Sequence, residues 1–194
     1  MHLLFLTHEI PCDMNSGDRI YSMNLLKQLL HHGHQVHLVA FGKNREKIDG
    51  DTPESERQFA GMPGLEVTKV SFAAKTPTRC CLGVRPAMTV NRFSRHYINT
   101  VLNIIIQKGA FDAILVNHFK MAYVVEYLRR YTVKTPAVMM THNAEAKLSE
   151  TVCKYQKNPV KKLAYYLDWR KTQIYEPRYL KQYDWITTIC ETDK

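Results

Sequence analysis

The residues of this chain best suited to chemistry stand where apolar runs stop. His118 follows "FDAILVN" and His142 follows "PAVMMT". An imidazole switches between acid, base and hydrogen-bonding roles near neutral pH, so at the end of a buried strand it suits proton handling or substrate orientation. It suits a solvent-facing loop as well, and both readings stay open. A third stretch, "THEIPCDMNSGDRIYSMNLL" from Thr7 to Leu26, joins an apolar run to a helical pattern, with Gly17 where the helix begins. A helix N-terminus offers free N–H groups and partial positive charge, and a glycine there lets an anion approach the backbone. The alternative is a tight turn with Ser16 or Asp18 as N-cap. The pattern is neither GxGxxG nor a P-loop, which weighs against an NAD or FAD enzyme.

Strands must position these residues. His2 to Thr7 reads as a buried strand. Ile20, Met23, Leu26 and Leu30 then recur on one helix face that Gly33 ends. Gln35 to Phe41 and Leu65 to Phe72 read as further strands, with a polar loop between them that holds one short helix around Glu54 to Phe59. Ala73 to Thr89 reads as irregular. A helix from Arg92 ends at Gly109. Phe111 to Asn117 is a fourth strand, Ala122, Val125 and Leu128 mark another helix, and Pro136 to His142 is a fifth strand. Asn158-Pro159 opens a long helix that Pro177 should kink or end, and Trp185 to Cys190 is a last strand. Alternating strands and helices with near-continuous apolar strands predict a doubly wound, mostly parallel Rossmann-like α/β sheet with helices on both faces.

In such a sheet, ligands bind outside the carboxyl ends of the strands. The candidates are therefore Thr7 to Arg19, then Asn117 and His118, then His142, Asn143 and Glu145. Glu145 and Glu150 are either general acids or bases, or carboxylates solvated at a helix start. Asp112 and Asp184 precede their strands, at the opposite edge, and have no catalytic role in this reading. His31, His32, His34 and His37 straddle a helix end and a strand with spacing that fits no metal site, and read as surface. Tyr165, Tyr166, Trp169, Tyr175 and Tyr179 read as core and interface packing, although such residues also suit a membrane surface.

The chain as a whole bounds the answer. Its 194 residues, 45% hydrophobic, suit a single domain with a substantial core. No apolar stretch is long enough to span a bilayer, and the start lacks a basic n-region and cleavage site, so it reads as a strand. Five cysteines without CxxC spacing argue against a disulfide framework and a zinc site, and point to a reducing cytoplasm. The pair Cys80–Cys81 reads as free thiols or a redox couple. A net charge of +9 favours anionic partners. Without a zinc finger, RNP-type motif or helix-turn-helix, nucleic acid is not expected. The basic residues from Arg79 to Arg95 and from Lys154 to Lys162 suit either an anionic membrane or solvent.

The order of these features resembles a known family. "FLTHEIPCDMNSGDRIYSMNLLKQLLHHGHQVHLVAF", with "FDAILVNHF", "VMMTHNAEA" and "YDWITTICETDK", is similar to the amino-terminal domain of GT-B-fold glycosyltransferases of the family 4 type. The resemblance covers nearly the whole chain, residues 1–194, as a single acceptor-side domain. It implies a retaining transfer of a sugar from a nucleotide sugar to an acceptor hydroxyl, in cell-surface polysaccharide or glycolipid assembly. It implies a nucleotide-sugar substrate, no cofactor and no metal, and an acceptor that is a sugar or lipid-linked. His142 matches the histidine near the transferred sugar. Asn15, Ser16 and Gly17 match the first loop, although many members carry a double glycine there, and Asn143 stands where aspartate is common. Arg19, His118 and Glu145 fall in the same cleft.

The family's carboxy-terminal nucleotide-sugar domain has no counterpart in the sequence. The resemblance therefore implies half of an enzyme, inactive alone, at the inner face of the membrane, and able to self-associate through an apolar surface left uncovered on the cleft side. Two other classes compete. One is a stand-alone Rossmann-like module that binds an anionic or phosphorylated ligand without catalysis. The other is a nucleotide- or nucleotide-sugar-modifying enzyme complete in one domain, against which the missing glycine fingerprint and the lack of an obvious nucleophile–base pair count.

Overall fold

The computed structural model describes residues 1–11, 16–42, 59, 61–72 and 83–189. Six strands form one sheet: β1 (His2–Thr7), β2 (Gln35–Phe41), β3 (Leu65–Val70), β4 (Ala113–Asn117), β5 (Ala137–Thr141) and β6 (Trp185–Thr188). Their order is β3-β2-β1-β4-β5-β6, and every pairing is parallel. The helices are α1 (Gly17–His31), α2 (Ala87–Arg92), α3 (Arg95–Lys108), α4 (Tyr123–Arg130), α5 (Glu145–Tyr155) and α6 (Pro159–Leu180). This is the doubly wound Rossmann-like class that the alternation predicts.

Successive side chains of a strand point to opposite faces, and β1 feeds both cores. Leu4 and Leu6 join Val39, Val116 and Met139 under Tyr97, Val101, Val125 and Tyr179. Leu3 and Phe5 join Val36, Leu38 and Met140 under Met23 and Leu26 of α1. Gly33 and Gly109 follow α1 and α3 with φ of 75° and 78°, the left-handed backbone that closes a helix at low cost to glycine. At the amino edge, Asp112 accepts the amide of His2 at 2.7 Å, and Asp184 accepts that of Ala137 at 2.8 Å. Both aspartates are structural, as their position predicts.

Several elements differ from the expectation. The helix expected from Arg92 is two helices, because Phe93 is extended and Ser94 starts α3 afresh, its Oγ accepting the Tyr97 amide at 3.2 Å. α2 begins inside the stretch read as irregular. α6 runs through Pro177 to Leu180, held by the buried Thr172 and Tyr179 on either side of the proline. Ile20, expected on the apolar face of α1, is exposed, while Met23 and Leu26 are buried. His37 is buried and not at the surface, because β2 is covered on both faces and Thr68 Oγ1 meets its Nε2 at 2.8 Å. Tyr179 is core as expected, whereas Tyr165 and Tyr166 are exposed. The short helix around Glu54 to Phe59, apart from Phe59, and the cysteines Cys12, Cys80, Cys81 and Cys190 lie outside the described residues.

Candidate functional site

The strand order reverses between β1 and β4, and at such a switch point the outgoing loops part and leave a crevice for ligands. Thr7 and Asn117 are register partners there. The next residues, His8 and His118, stand on either side, and His142 leaves β5 beside them. Their rings form a contiguous group. His8 lies edge-on to His118 at 4.9 Å between centroids, and His118 stacks on His142 at 5.2 Å. Tyr21 of α1 closes the far side, edge-on to His142 at 5.2 Å.

A chain of hydrogen bonds fixes the third imidazole. The Ser22 hydroxyl donates to the Asp18 carbonyl at 2.6 Å, so its oxygen is left to accept from Asn117 Nδ2 at 2.7 Å. The Asn117 amide is thereby oriented, and its Oδ1 faces His142 Nε2 at 2.8 Å. An amide oxygen only accepts, so His142 carries its proton on Nε2 and presents Nδ1 as an acceptor.

His118 is held in left-handed backbone, φ 78°, which is uncommon for a residue with a side chain. Its main-chain N–H donates to the Met140 carbonyl at 3.1 Å, and its Nδ1 accepts from the Lys120 amide at 3.3 Å. Lys120 Nζ in turn lies 3.3 Å from His8 Nε2. The same Nε2 lies 3.5 Å from Glu9 Oε1, while His8 Nδ1 is buried with no hydrogen-bond partner.

Burial sets the charges. It is the largest cause in pushing His8 down to about 3 and His118 down to about 2, with Lys120 the next cause in both. Burial also lowers His142, against the raising effect of Asp18. All three imidazoles are therefore neutral at pH 7. Lys120 is lowered by burial and then by Arg92, whose guanidinium lies 4.5 Å over the Phe72 ring. Burial opposes ionisation of Asp18, but hydrogen bonds from Ser16 and the Arg19 amide hold it below the usual carboxylate range.

The remaining candidates are placed as follows. Arg19 forms a two-pronged ion pair with Glu9, at 3.1 Å for each contact. Ser16 is the N-cap of α1, without a side-chain cap bond to the helix. Gly17 has open space around it: a Cβ there meets nothing within 4 Å. The chain does not need glycine here for its own conformation. Asn143 is exposed, and Asn15 lies outside the described residues. Glu145 is buried, not solvated, and burial followed by the Glu176 carboxylate raises it to about 7. Glu176 accepts the amides of Glu145 and Ala146 at 2.8 and 2.9 Å, a cap supplied to α5 from α6. Glu150 is exposed.

His8, Glu9 and Asp18 bring possible metal-ligating atoms within 4.8 Å of one another. The protein's own cations already occupy two of them, Arg19 on Glu9 and Lys120 on His8, so the donor set fits a divalent cation poorly. Sequence reasoning took His8 only within the stretch from Thr7 to Arg19 and Arg92 only among the basic residues from Arg79 to Arg95, and it did not name Lys120. His8 carried a usable signal, since it follows β1 as His118 follows β4. Glu176 carried none.

The basic residues sort into two kinds. Arg85 donates to Tyr127 Oη at 3.2 Å and lies 4.0 Å from Glu126, and Arg92 is stacked on Phe72, so both are engaged within the fold. Lys154, Lys157, Lys161 and Lys162 are all exposed.

No protein-family model matches the sequence, and no curated protein matches it. Solved structures do. Medicago truncatula UGT71G1 complexed with UDP-glucose is similar with a TM-score of 0.56 at 10% identity, covering 96% of this chain and 45% of that one. A UDP-glucose:anthocyanidin 3-O-glucosyltransferase in complex with UDP is a more distant likeness, TM-score 0.42 at 10% identity, covering 96% of this chain and 52% of that one. The chain thus spans about half the length of the structures it matches. The likeness does not single out family 4. With the sheet order and the crevice at β1 and β4, it shows that this chain has the Rossmann-like fold of one half of a GT-B-type glycosyltransferase.

Proposed function

We propose that the chain is the acceptor-side half of a glycosyltransferase that moves a sugar from a nucleotide-sugar donor to an acceptor hydroxyl. The observation that carries this reading is the group of three neutral imidazoles beside Lys120, at the switch point of a sheet with half a GT-B fold. His142 would orient a sugar by accepting a hydroxyl proton on Nδ1. Lys120, with Arg92 behind it, would supply positive charge near the leaving diphosphate. Gly17 would let a phosphate or sugar approach the start of α1. Glu145, Ser16, Arg19, His118 and the exposed Asn143 line the same edge, and Asn15 precedes Ser16. A second domain would complete the donor site, and closure would exclude water.

Retention of anomeric configuration, a role in cell-surface polysaccharide or glycolipid assembly, a sugar or lipid-linked acceptor, independence of metals, and inactivity of this half alone belong to the same proposal. So does a place at the cytoplasmic face of a membrane. Among the described residues, no helix is long and apolar enough to cross one. Lys120 and Arg92 also favour a second reading, a stand-alone module for an anionic ligand.

Nuclear magnetic resonance of the histidine side chains separates the two. The chain is titrated with UDP-glucose, with a simple glycoside and with inorganic pyrophosphate. The transferase reading expects the glycoside to shift His118 and His142, and UDP-glucose to bind weakly, because part of its site is elsewhere. Shifts from pyrophosphate, with none from the glycoside, would overturn it in favour of the anion-binding module.

A further inference from the structure

α6 turns apolar side chains outward. Its inward face carries Asp168, Thr172, Tyr175 and Tyr179, spaced four, three and four residues apart. Thr172 and Tyr179 are fully buried, and Asp168 accepts the Ala87 amide at 2.6 Å. Roughly a third of a turn away lies a second stripe, set by the 3.6-residue period. It holds Val160, Leu163, Leu167 and Ile174, which are 78%, 60%, 50% and 65% exposed. Leu148, Val152 and Tyr155 make a similar exposed row on α5. Single exposed apolar residues are ordinary, but a row of four along one helix face forms a patch.

The hairpin is antiparallel and reaches away from the site. At one end Glu176 holds the first amides of α5, and at the other Cys153 Sγ donates to the Lys162 carbonyl at 3.8 Å. Ten residues of α5 at about 1.5 Å each put the tip roughly 15 Å from Glu145. Lys154, Lys157, Lys161 and Lys162 are all exposed around this end, and Arg170 is exposed near the middle of α6. From 151 to 175 the sequence holds a single acid, Asp168, and it is turned inward. Tyr155, Tyr165 and Tyr166 are exposed at the border between the apolar and charged residues.

This chemistry selects the occupant. The buried centre of a protein–protein interface is depleted in lysine. An apolar helix stripe bordered by lysines and tyrosines fits the boundary of an anionic bilayer, where apolar groups enter the headgroup region and ammonium groups meet lipid phosphates. We propose that the α5–α6 hairpin is a docking surface for an anionic lipid bilayer, with Val160, Leu163 and Leu167 inserted and the lysines from Lys154 to Lys162 on the phosphates. The proposal rests on the membrane placement that forms part of the reading above and names its surface and lipid chemistry, whereas the histidine titrations test the transfer chemistry separately.

Cosedimentation tests it, with vesicles of phosphatidylcholine alone and vesicles that also contain phosphatidylglycerol. The wild-type chain should bind the anionic vesicles on the order of tenfold or more tightly, and added salt should weaken binding. The double substitution Leu163→Glu and Leu167→Glu falls on exposed positions. It should keep the thermal transition and lose about tenfold or more in binding. Lys161→Glu with Lys162→Glu should lose binding only on the anionic vesicles. Equal binding to both vesicle types, no binding, or full binding by the leucine variant would overturn the proposal. So would a wild-type dimer that the leucine variant splits without any vesicle binding, which would assign the face to a second copy.

Discussion

At the scale of single residues, Asn117 is the pivot of the site. It reads the direction of the Ser22 hydroxyl and passes it to His142, so one amide decides which imidazole nitrogen can accept. Replacing it with alanine leaves the Ser22 oxygen without its donor and the His142 N–H without its acceptor, at a cost of about 1–3 kcal/mol. Nitrogen-15 spectra should show His142 as the Nε2–H tautomer in the wild type and a mixture in Asn117→Ala. An unchanged tautomer would mean that another group holds the ring. His8 and His118 make a second test, through pH. Their folded values, about 3 and about 2, lie below the ordinary 6.5, so the unfolded chain binds more protons between those limits. Stability from these two groups is therefore present above pH 6.5 and is lost as pH falls toward 3, by up to about 1.4 kcal/mol per pH unit for each. Thermal melts should show a falling midpoint below pH 6.5, with a shallower fall in His8→Gln. His8 faces Lys120, Arg92, Asp18 and His142, so the variant also removes the Lys120 contact. The slope is the readout for that reason, and not the absolute midpoint. Positions at strand ends were legible from the order of apolar runs and helices. The protonation pattern was not, because it depends on burial and on neighbours far apart in sequence.

At the scale of elements, α5 is held by a carboxylate from another helix. Glu176 accepts two of the amides that every helix leaves unpaired at its start, and its negative charge suits the positive end of the helix. Glu176→Ala should destabilise the chain by about 1–2 kcal/mol, comparable to loss of an N-cap, measured by denaturant unfolding. The same substitution removes the charge that, after burial, helps raise Glu145. Glu145 carries its own linkage with the opposite sign from the histidines. Its folded value of about 7 exceeds the ordinary 4.5, so the folded chain binds more protons in between, and stability falls as pH rises through that window. Glu145→Gln should therefore match the wild type near pH 4 and exceed it at pH 8, by up to roughly 3 kcal/mol. No gain at pH 8 would show that the buried carboxylate is stabilised by a partner such as Lys120 in the folded chain. All six strands could be read from apolar runs, each within two residues of its observed limits. The break at Phe93–Ser94 and the passage of α6 through Pro177 could not. Both are settled by tertiary packing, which overrides local propensity.

At the scale of the whole molecule, one carboxylate draws several elements together, and one sheet edge leaves apolar side chains exposed. Glu126 meets Arg130 at 2.8 Å, Arg178 at 2.9 Å and Arg85 at 4.0 Å, so α4, α6 and the approach to α2 converge on it. The exposed edge is β6. It stands at one end of the sheet order, as β3 does at the other, and among the described residues it pairs with β5 alone. Trp185 and Ile186 in it are 59% and 46% exposed, and Ile189 just beyond is 51% exposed. The expectation of an uncovered apolar surface placed it on the cleft side. Among the described residues, the exposed apolar side chains gather instead on α5, α6 and this edge. An unpaired strand with exposed aromatic and aliphatic side chains is a template for another strand. The 194-residue chain should therefore self-associate as its concentration rises, with β6 as the contact. Sedimentation velocity across a concentration series gives the test. Trp185→Lys with Ile186→Lys places two like charges on the strand, which blocks edge pairing while leaving the buried faces of β5 untouched. This variant should remain a monomer where the wild type associates. If both associate alike, the contact is not the β6 edge, and the exposed rows on α5 and α6 become the surface to examine. If neither does, the edge is protected in solution despite its exposure.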